Sequence, residues 1–283
     1  MSEMRQENSF GVPLHPAEQE MALRFDNVSF SYDSVKVFEK MSFHIHQGEF
    51  VALTGPNGSG KTTALKLLLG LLNPQEGKIE VFGRSSLRQE RIGYVPQQVN
   101  LDQAFPITVK EVVKMGRLNS LSRKYNAGDK AAVNDMLEQV EISDLASRPY
   151  NSLSGGQRRR VLVARALASL SGKTADKGMP VIEKGLLILD EPTANMDMES
   201  EDRLYTTLGK LKGKTTILIV THDRDFVSSI VDRVLCMDKN MHGAGEPGNE
   251  YTVVQHRLQI RHEDSFPGDT CYLRDNSTSL DKK

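Results

Sequence analysis

The chain has 283 residues, of which 38% are hydrophobic, and its 36 basic and 37 acidic residues leave a net charge of −1. This length and apolar fraction allow one large or two small globular domains with a substantial core. The balanced charge offers no general attraction to nucleic acid or to an anionic bilayer. No apolar run approaches the roughly 18 residues of a membrane-spanning helix, and the polar N-terminus lacks the apolar region of a secretory signal.

Residues 1–20 are interpreted as an extension without an assigned function, and strands are predicted after them. Alternating apolar residues predict strands at 23–30, 35–37 and 43–46, and a buried strand at 50–53. The first three indicate a small antiparallel sheet. His44 and His46 share one strand face, which permits metal ligation, although a solvated strand face is the favoured interpretation.

A glycine-rich stretch lies between the strand at 50–53 and a helix predicted over 65–72. It fits G-x-x-x-x-G-K-[ST], and its residues are Gly55, Pro56, Asn57, Gly58, Ser59, Gly60, Lys61 and Thr62. Glycines let backbone N–H groups close round a phosphate, and the following helix presents its positive end. We expect Lys61 to reach the β- and γ-phosphates and the Thr62 hydroxyl to bind Mg²⁺. The alternative is a glycine-rich turn without a ligand.

The next segment predicts strands followed by helices. A strand at 78–82 precedes another that ends near Gln97, and Thr108 has capping-box spacing with Glu111 at the start of a helix. Helical periodicity places four apolar residues on one face, where the ordinary role is core packing: Val133, Met136, Leu137 and Val140.

A small polar cluster at 151–157 precedes a helix predicted over 158–170. Ser154 can cap this helix, and Gly155 and Gly156 leave its first N–H groups uncovered, which creates a second anion-receptive helix start. The arginines at 158–160 permit a nucleic-acid surface. Because three consecutive arginines point in different directions on a helix, we interpret them as a solvated face.

Two apolar strands in the second half end in polar residues. The strand at 186–189 has the continuous apolar pattern of a parallel sheet and ends at Asp190 and Glu191. The strand at 216–220 leads to His222. The carboxyl ends of such strands are where open α/β sheets hold their chemistry.

The remaining segments are less informative. Residues 171–184 form a polar insertion, and beyond about Met241 only a strand at 251–254 is indicated. Two cysteines, Cys236 and Cys271, favour a reducing compartment, and Cys236 is predicted to be a small core residue.

These features, in this order, resemble the motifs of the ATP-binding cassette (ABC) ATPases. The matching stretches are GPNGSGKT at 55–62, Gln97 after YVP, LSGGQ at 153–157, LLILDEPT at 186–193, Asp197 and His222. The resemblance implies an α/β fold, namely a P-loop NTPase with a RecA-like core, an antiparallel β subdomain and an inserted α-helical subdomain at about 98–158. It places the ATPase domain at 21–242, followed by a tail of unknown role at 243–283.

Carried over by position, the resemblance implies ATP and Mg²⁺ as ligands. Tyr32 resembles the aromatic residue that stacks on adenine, and the loop from Gly55 through Thr63 holds the phosphates. The residues that match the Mg²⁺ environment are Thr62, Gln97 and Asp190.

Glu191 matches the general base that polarises the attacking water. Since neighbours on a strand face opposite sides, Asp190 can address the metal while Glu191 faces the water. Gln97 and His222 complete the expected catalytic set, and His222 matches the histidine that contacts the γ-phosphate.

The signature residues resemble a loop that closes over the ATP of a second cassette; they are Ser154, Gly155, Gly156 and Gln157. With Asp197 joining the halves, the resemblance implies a homodimer with two ATP molecules between its subunits. Loss of the γ-phosphate on hydrolysis would then reopen the dimer.

The segment at 105–116 resembles the branch of the family that imports zinc, manganese or iron. We therefore expect the ATPase subunit of an importer, peripheral to the cytoplasmic face of the inner or plasma membrane. Its expected partners are a membrane permease and, through that permease, an extracytoplasmic solute-binding protein, with no nucleic acid. The alternatives are an importer of another small solute, a soluble ABC ATPase without a transport role, and a nucleotide binder that does not hydrolyse ATP.

Overall fold

The computed structural model describes residues 20–85, 92–98, 106–118, 125–171, 185–194, 196–221 and 230–239, and the backbone of 251–257. Within this part of the chain the helices are α1 (Lys61–Leu68), α2 (Val109–Met115), α3 (Ala127–Gln139), α4 (Gly155–Leu170) and α5 (Met198–Leu211). The strands are β1 (Met21–Tyr32), β2 (Val35–His46), β3 (Phe50–Thr54), β4 (Glu76–Val81), β5 (Arg84–Ser85), β6 (Ile92–Val95), β7 (Leu186–Asp190), β8 (Thr216–Val220), β9 (Arg233–Lys239) and β10 (Tyr251–Arg257).

All these strands belong to one sheet with the order β5-β4-β1-β2-β10-β9-β3-β8-β7-β6. Strands β5, β4, β1 and β2 pair antiparallel, whereas β9, β3, β8, β7 and β6 pair parallel. Strand β10 joins the two parts, because it is antiparallel to β9 and parallel to β2. The predicted α/β fold with an antiparallel part is confirmed, and α2 and α3 lie between β6 and β7 along the chain, as an inserted helical region requires.

Two apolar cores cover the two faces of the parallel strands. In β7, Leu187 and Leu189 belong to the core that contains α2, α3, α4 and α5. Leu186 and Ile188 belong to the core that contains α1 and the antiparallel strands. This alternation explains why β7 reads as an uninterrupted apolar run, since both of its faces are buried.

The two strands predicted at 35–37 and 43–46 are a single strand, β2. The polar pair Glu39 and Lys40 lies between the two predicted strands, and Phe38 and Met41 on either side of it are buried. Lys40 has a φ of 48°, and the register between β1 and β2 shifts close to it. A bulge thus absorbs the polar pair without ending the strand.

Two helices begin earlier than predicted. Helix α1 begins at Lys61, within the glycine-rich motif, and ends at Leu68, so the prediction of 65–72 was displaced by one turn. Helix α4 begins at Gly155 because Ser154 is its N-cap. In both cases apolar periodicity becomes visible only after the first turn of the helix.

Other local predictions are confirmed. Thr108 and Glu111 form the capping box of α2, and the four apolar residues predicted to share a helix face, 133, 136, 137 and 140, are all buried at or just after α3. The strand indicated at 251–254 is the first half of β10. No helix in the described ranges is both long enough and apolar enough to cross a bilayer. Of the predicted insertion at 171–184, residues 172–184 lie outside the described residues, and so do residues 1–19 of the N-terminal extension.

Candidate functional site

The phosphate loop connects β3 to α1 at the carboxyl edge of the parallel strands. Gly60 has a φ of 92°, and a Cβ there would lie 2.7 Å from the Phe38 ring, so both the backbone and the space require glycine. The ammonium of Lys61 donates to the carbonyl oxygen of Gly55 at 2.7 Å and to that of Pro56 at 3.0 Å. Lys61 is thereby held against the loop.

The remaining loop residues differ in exposure. Pro56, Asn57, Gly58 and Thr62 are exposed, whereas Ser59 and Thr63 are buried. The Ser59 hydroxyl has no hydrogen-bond partner among the described residues. A buried hydroxyl without a partner is costly, and a phosphate oxygen would supply one. The loop therefore fits a nucleotide phosphate.

Asp190 and Glu191 lie near the loop, at the end of β7. Burial lowers the pKa of Lys61, and the charges of Glu191 and Asp190 oppose that shift. Burial, reinforced by the neighbouring Glu191 charge, raises the pKa of Asp190 above its ordinary value of 3.8. The Tyr94 hydroxyl donates to Asp190 at 3.4 Å, and burial together with this carboxylate raises the pKa of Tyr94 to about 12.

Glu191 does not continue β7, so the expectation that Asp190 and Glu191 alternate as strand neighbours is wrong. Glu191 follows the strand in the left-handed region, with a φ of 43°. Its N–H donates to the carbonyl oxygen of Val220 at 2.8 Å. A non-glycine residue in this region is uncommon, and it persists only where the surrounding structure fixes it.

The backbone of Gln97, which follows β6, is brought close to Glu191 by a side chain of α4. The guanidinium of Arg159 donates to the carbonyl oxygens of Pro96 at 2.6 Å and Gln97 at 2.9 Å. It also donates to the carbonyl oxygen of Glu191 at 3.2 Å. Arg159 is only 7% exposed, so this contact is part of the interior.

The interpretation of 158–160 as a solvated helix face is wrong for two of the three arginines. Arg159 points to the site, and Arg160, which is 8% exposed, donates to the carbonyl oxygens of Val140 and Glu141 after α3. Burial lowers the pKa of both guanidinium groups. The backbone carbonyls that satisfy them lie far away in sequence and were invisible to a local pattern.

The signature loop caps its own helix. Ser154 Oγ accepts the N–H of Gln157 at 3.2 Å, and Gln157 Oε1 accepts the N–H of Ser154 at 3.0 Å. Ser154 and Gly155 are exposed. The first turn of α4 is thus an ordered helix start with an accessible surface, a geometry suited to an anion.

The second glycine of the signature packs against the start of α5. A Cβ at Gly156 would lie 2.4 Å from the Cβ of Ser200. Asp197, expected to join two halves, is the N-cap of α5 and accepts the N–H and hydroxyl of Ser200 at 2.9 and 2.8 Å. Sequence reasoning missed Ser200, although the Asp197–Ser200 spacing is an N-cap signal.

Four residues singled out in the sequence remain. Tyr32 ends β1 with 41% of its surface exposed, and its ring meets Phe30 edge-on at 5.0 Å, so it is an accessible aromatic face. His222 lies outside the described residues. His44 and His46 have ring centroids 4.8 Å apart, but within the described ranges no group of three or more metal-ligating side chains is assembled.

Comparisons with known proteins identify the family. The family model for ABC transporters matches residues 38–174. The zinc uptake system ATP-binding protein ZurA of Listeria innocua is 38% identical over 88% of this chain and 95% of its own length. The chelated iron transport system membrane protein YfeB of Yersinia pestis is 34% identical over 94% of this chain and 86% of its own length. The structure of cbiO1 from Clostridium perfringens, part of the ABC transporter complex cbiONQ, is 27% identical with a TM-score of 0.66, covering 84% of this chain and 88% of that one. The chain therefore belongs to the ABC transporter family and is one of its ATP-hydrolysing subunits.

Proposed function

We propose that this ATPase powers the import of a divalent metal ion, zinc, manganese or iron, through a separate membrane permease. The cargo class is supported by ZurA and YfeB, whose names specify zinc uptake and chelated iron transport. Hydrolysis is supported by one observation above all: β3 and β7 flank β8 in parallel, so the phosphate loop with Lys61 and the pair Asp190 and Glu191 emerge at the same carboxyl edge of the sheet. The cargo passes through the permease, so this chain needs no site for it.

At the nucleotide, the residues divide into binding and proton-transfer groups. The loop from Gly55 to Thr63 binds the phosphates, and Tyr32 offers its exposed ring to the adenine. Glu191 orients the attacking water and accepts its proton. Gln97 and His222 are the other two members of the catalytic set, and His222 contacts the γ-phosphate.

The hydroxyl of Thr62 and the carboxylate of Asp190 are oxygen ligands of the kind that Mg²⁺ prefers, with Gln97 as the third expected member of the set. When bound, Mg²⁺ neutralises charge on the β- and γ-phosphates. The raised pKa of Asp190 fits this assignment, because a cation would stabilise a carboxylate that burial otherwise disfavours.

The signature residues act across a homodimer. Ser154, Gly155 and Gln157 form an accessible helix start that closes over the ATP bound by a second copy. Asp197, at the adjoining start of α5, lies at the same interface between the two copies. In this arrangement each γ-phosphate stabilises the closed dimer until it is hydrolysed.

The partners follow from this cycle. The permease contacts the helical region around α2 and α3, and a solute-binding protein delivers the ion on the far side of the membrane. The chain then resides peripherally at the cytoplasmic face of the inner or plasma membrane. The cbiO1 structure, as part of the cbiONQ complex, supports association with further transport subunits.

The test is reconstitution of the chain in lipid vesicles with the membrane protein that copurifies with it. We expect ATP hydrolysis to rise when zinc, manganese or iron is supplied on the side opposite the ATPase, together with the binding protein. Hydrolysis that ignores all three metals but responds to another solute would overturn the metal assignment. Recovery with ribosomes or a cytosolic scaffold, and without a permease, would favour the soluble alternative.

A further inference from the structure

The side chain of Arg159 connects three segments of the site that are far apart in sequence. Its guanidinium donates to the carbonyl oxygens of Pro96 and Gln97, which follow β6, and of Glu191, which follows β7. It is carried on the second turn of the helix that begins with the signature loop. Bonds from a charged donor are among the stronger hydrogen bonds in proteins, and burial at 7% exposure protects these three from water.

The contact to Glu191 falls on one of the non-glycine residues whose backbone lies in the left-handed region. Glu191 has a φ of 43°, and both of its backbone polar groups are fixed. Its N–H donates to the carbonyl oxygen of Val220 at 2.8 Å, and its carbonyl oxygen accepts from Arg159 at 3.2 Å and from the N–H of Ala194 at 3.3 Å. A non-glycine residue persists in this region only where the surrounding structure fixes it, and Arg159 supplies the one side-chain donor among these three bonds, so we expect its loss to loosen the backbone that directs the Glu191 carboxylate.

We propose that Arg159 is a positioning residue that sets the orientation of the Glu191 carboxylate and of Gln97, and ties both to the signature helix. The proposal rests on the function proposed above, in which Glu191 accepts the proton of the attacking water. Arg159 donates to backbone carbonyl oxygens and not to the side chains assigned to the nucleotide and the water. Its effect is transmitted through three backbone carbonyls.

The neighbouring Arg160 provides a matched control. It lies on the same turn of α4, is buried to the same degree at 8% exposure, and also donates to carbonyl oxygens. Those carbonyls belong to Val140 and Glu141, in the helical region, so Arg160 lacks the link to Gln97 and Glu191. A loss caused merely by removing a buried arginine from α4 would therefore be shared by both variants.

The experiment compares Arg159→Gln, Arg159→Lys and Arg160→Gln in the full chain, with kcat and KM for Mg-ATP, equilibrium ATP binding and thermal unfolding measured for each. We expect Arg159→Gln to lower kcat by about 10- to 100-fold, the size expected when charge-assisted bonds to a reacting group's support are lost. We expect its affinity for ATP to change by less than about threefold, because the phosphate loop is untouched. Arg159→Lys, which keeps a charged donor, should recover part of kcat, and Arg160→Gln should lower Tm without a comparable loss of kcat.

A double-mutant cycle adds a measurement that a general loss of stability would not reproduce. In a Glu191→Gln background, Arg159→Gln should lower the residual rate by less than about threefold, because the group that it positions has already been disabled. Equal losses of kcat in the Arg159 and Arg160 variants, or an undiminished effect of Arg159→Gln in this background, would overturn the proposal. If Arg159→Gln keeps the wild-type kcat while Glu191→Gln is inactive, only the positioning role of Arg159 is rejected. If Glu191→Gln is itself active, the proposed function is rejected.

Discussion

The Asp190 carboxylate is held in surroundings that disfavour its charge. Burial and the adjacent Glu191 raise its pKa, whereas Tyr94, Arg159 and Lys61 oppose the shift. A carboxyl group whose pKa is raised by folding binds more protons in the folded state than in the unfolded chain. Its ionisation therefore lowers the free energy of unfolding as the pH rises from about 3.8 through the raised folded-state value.

We predict that Asp190→Asn makes the apoprotein more stable at neutral pH while abolishing Mg²⁺-dependent hydrolysis. Because the carboxylate is partly solvated, we expect only a modest rise in Tm, roughly 2 °C. The advantage of the variant should be absent below the ordinary pKa of an aspartate and should grow as the pH increases through the raised value. Calorimetry at a series of pH values checks this.

Glu199→Gln is a suitable control for that measurement, because Glu199 lies on the exposed surface of α5. Glu199 forms an exposed ion pair with Arg203, and such pairs contribute little, so the Tm of Glu199→Gln at neutral pH should remain close to that of the wild type. An Asp190→Asn variant that is less stable than the wild type at neutral pH would show that the hydrogen bond to Tyr94 outweighs the burial of charge.

The sequence predicted binding residues more completely than supporting residues. The role of Lys61 was proposed from the spacing of the phosphate-loop motif, and that of Asp190 from the resemblance to the ABC ATPases, so neither needed coordinates. Arg159 was misread because its partners lie about 62 and 32 residues away in sequence. Its i, i+3 and i, i+4 spacing to the buried Leu162 and Val163 was a local signal that it faces inward.

At the scale of elements, the contact between α4 and α5 at Gly156 leaves no room for a side chain. We predict that Gly156→Ala destabilises the protein by about 1–3 kcal/mol, since Ser200 or the helix start must move to admit the methyl group. Chemical denaturation of the apoprotein measures this directly, without nucleotide or a second subunit.

Gly155→Ala is the matched control for Gly156→Ala. A Cβ at Gly155 meets nothing within 4 Å, so its free energy of unfolding should equal that of the wild type or exceed it slightly. Equal destabilisation by both variants would show that the first turn of α4, rather than its packing on α5, is what Gly156 protects.

Element boundaries show where local patterns fail. The continuous strand β2 was divided in two because a bulge at Lys40 resembles a turn in sequence, and only pairing with β1 distinguishes the two. By contrast, the capping box at Thr108 was predicted correctly because all of its participants lie within four residues. A feature whose residues all lie within one helical turn can be predicted from the sequence. A feature that depends on pairing with another strand cannot.

For the whole molecule, we predict that Glu191→Gln binds Mg-ATP, forms a stable homodimer and turns over at least a hundredfold more slowly than the wild type. Light scattering with and without Mg-ATP measures the change in mass, and Glu199→Gln should remain indistinguishable from the wild type. A Glu191→Gln chain that stays monomeric at saturating Mg-ATP would contradict the proposed sandwich.

Strand β10 lies at the junction of the whole sheet, because it pairs with β9 along its full length and meets β2 at Tyr251↔Phe38. We predict that truncation after Asn249 lowers Tm and promotes aggregation, since it leaves the edges of β2 and β9 unpaired. Truncation after Arg257 retains every strand described here, so its Tm should remain close to that of the full chain. Similar stability of both truncations would show that β10 contributes little.

The place of β10 also has a consequence for biosynthesis. The ribosome makes this strand after all its neighbours, yet the finished sheet holds it in the middle, between segments made more than two hundred residues earlier and about ten residues earlier. The nascent polypeptide therefore lacks the strand that pairs with both β2 and β9 until residue 257 has emerged from the ribosome. Chaperones that shield unpaired backbone would be needed most during that interval.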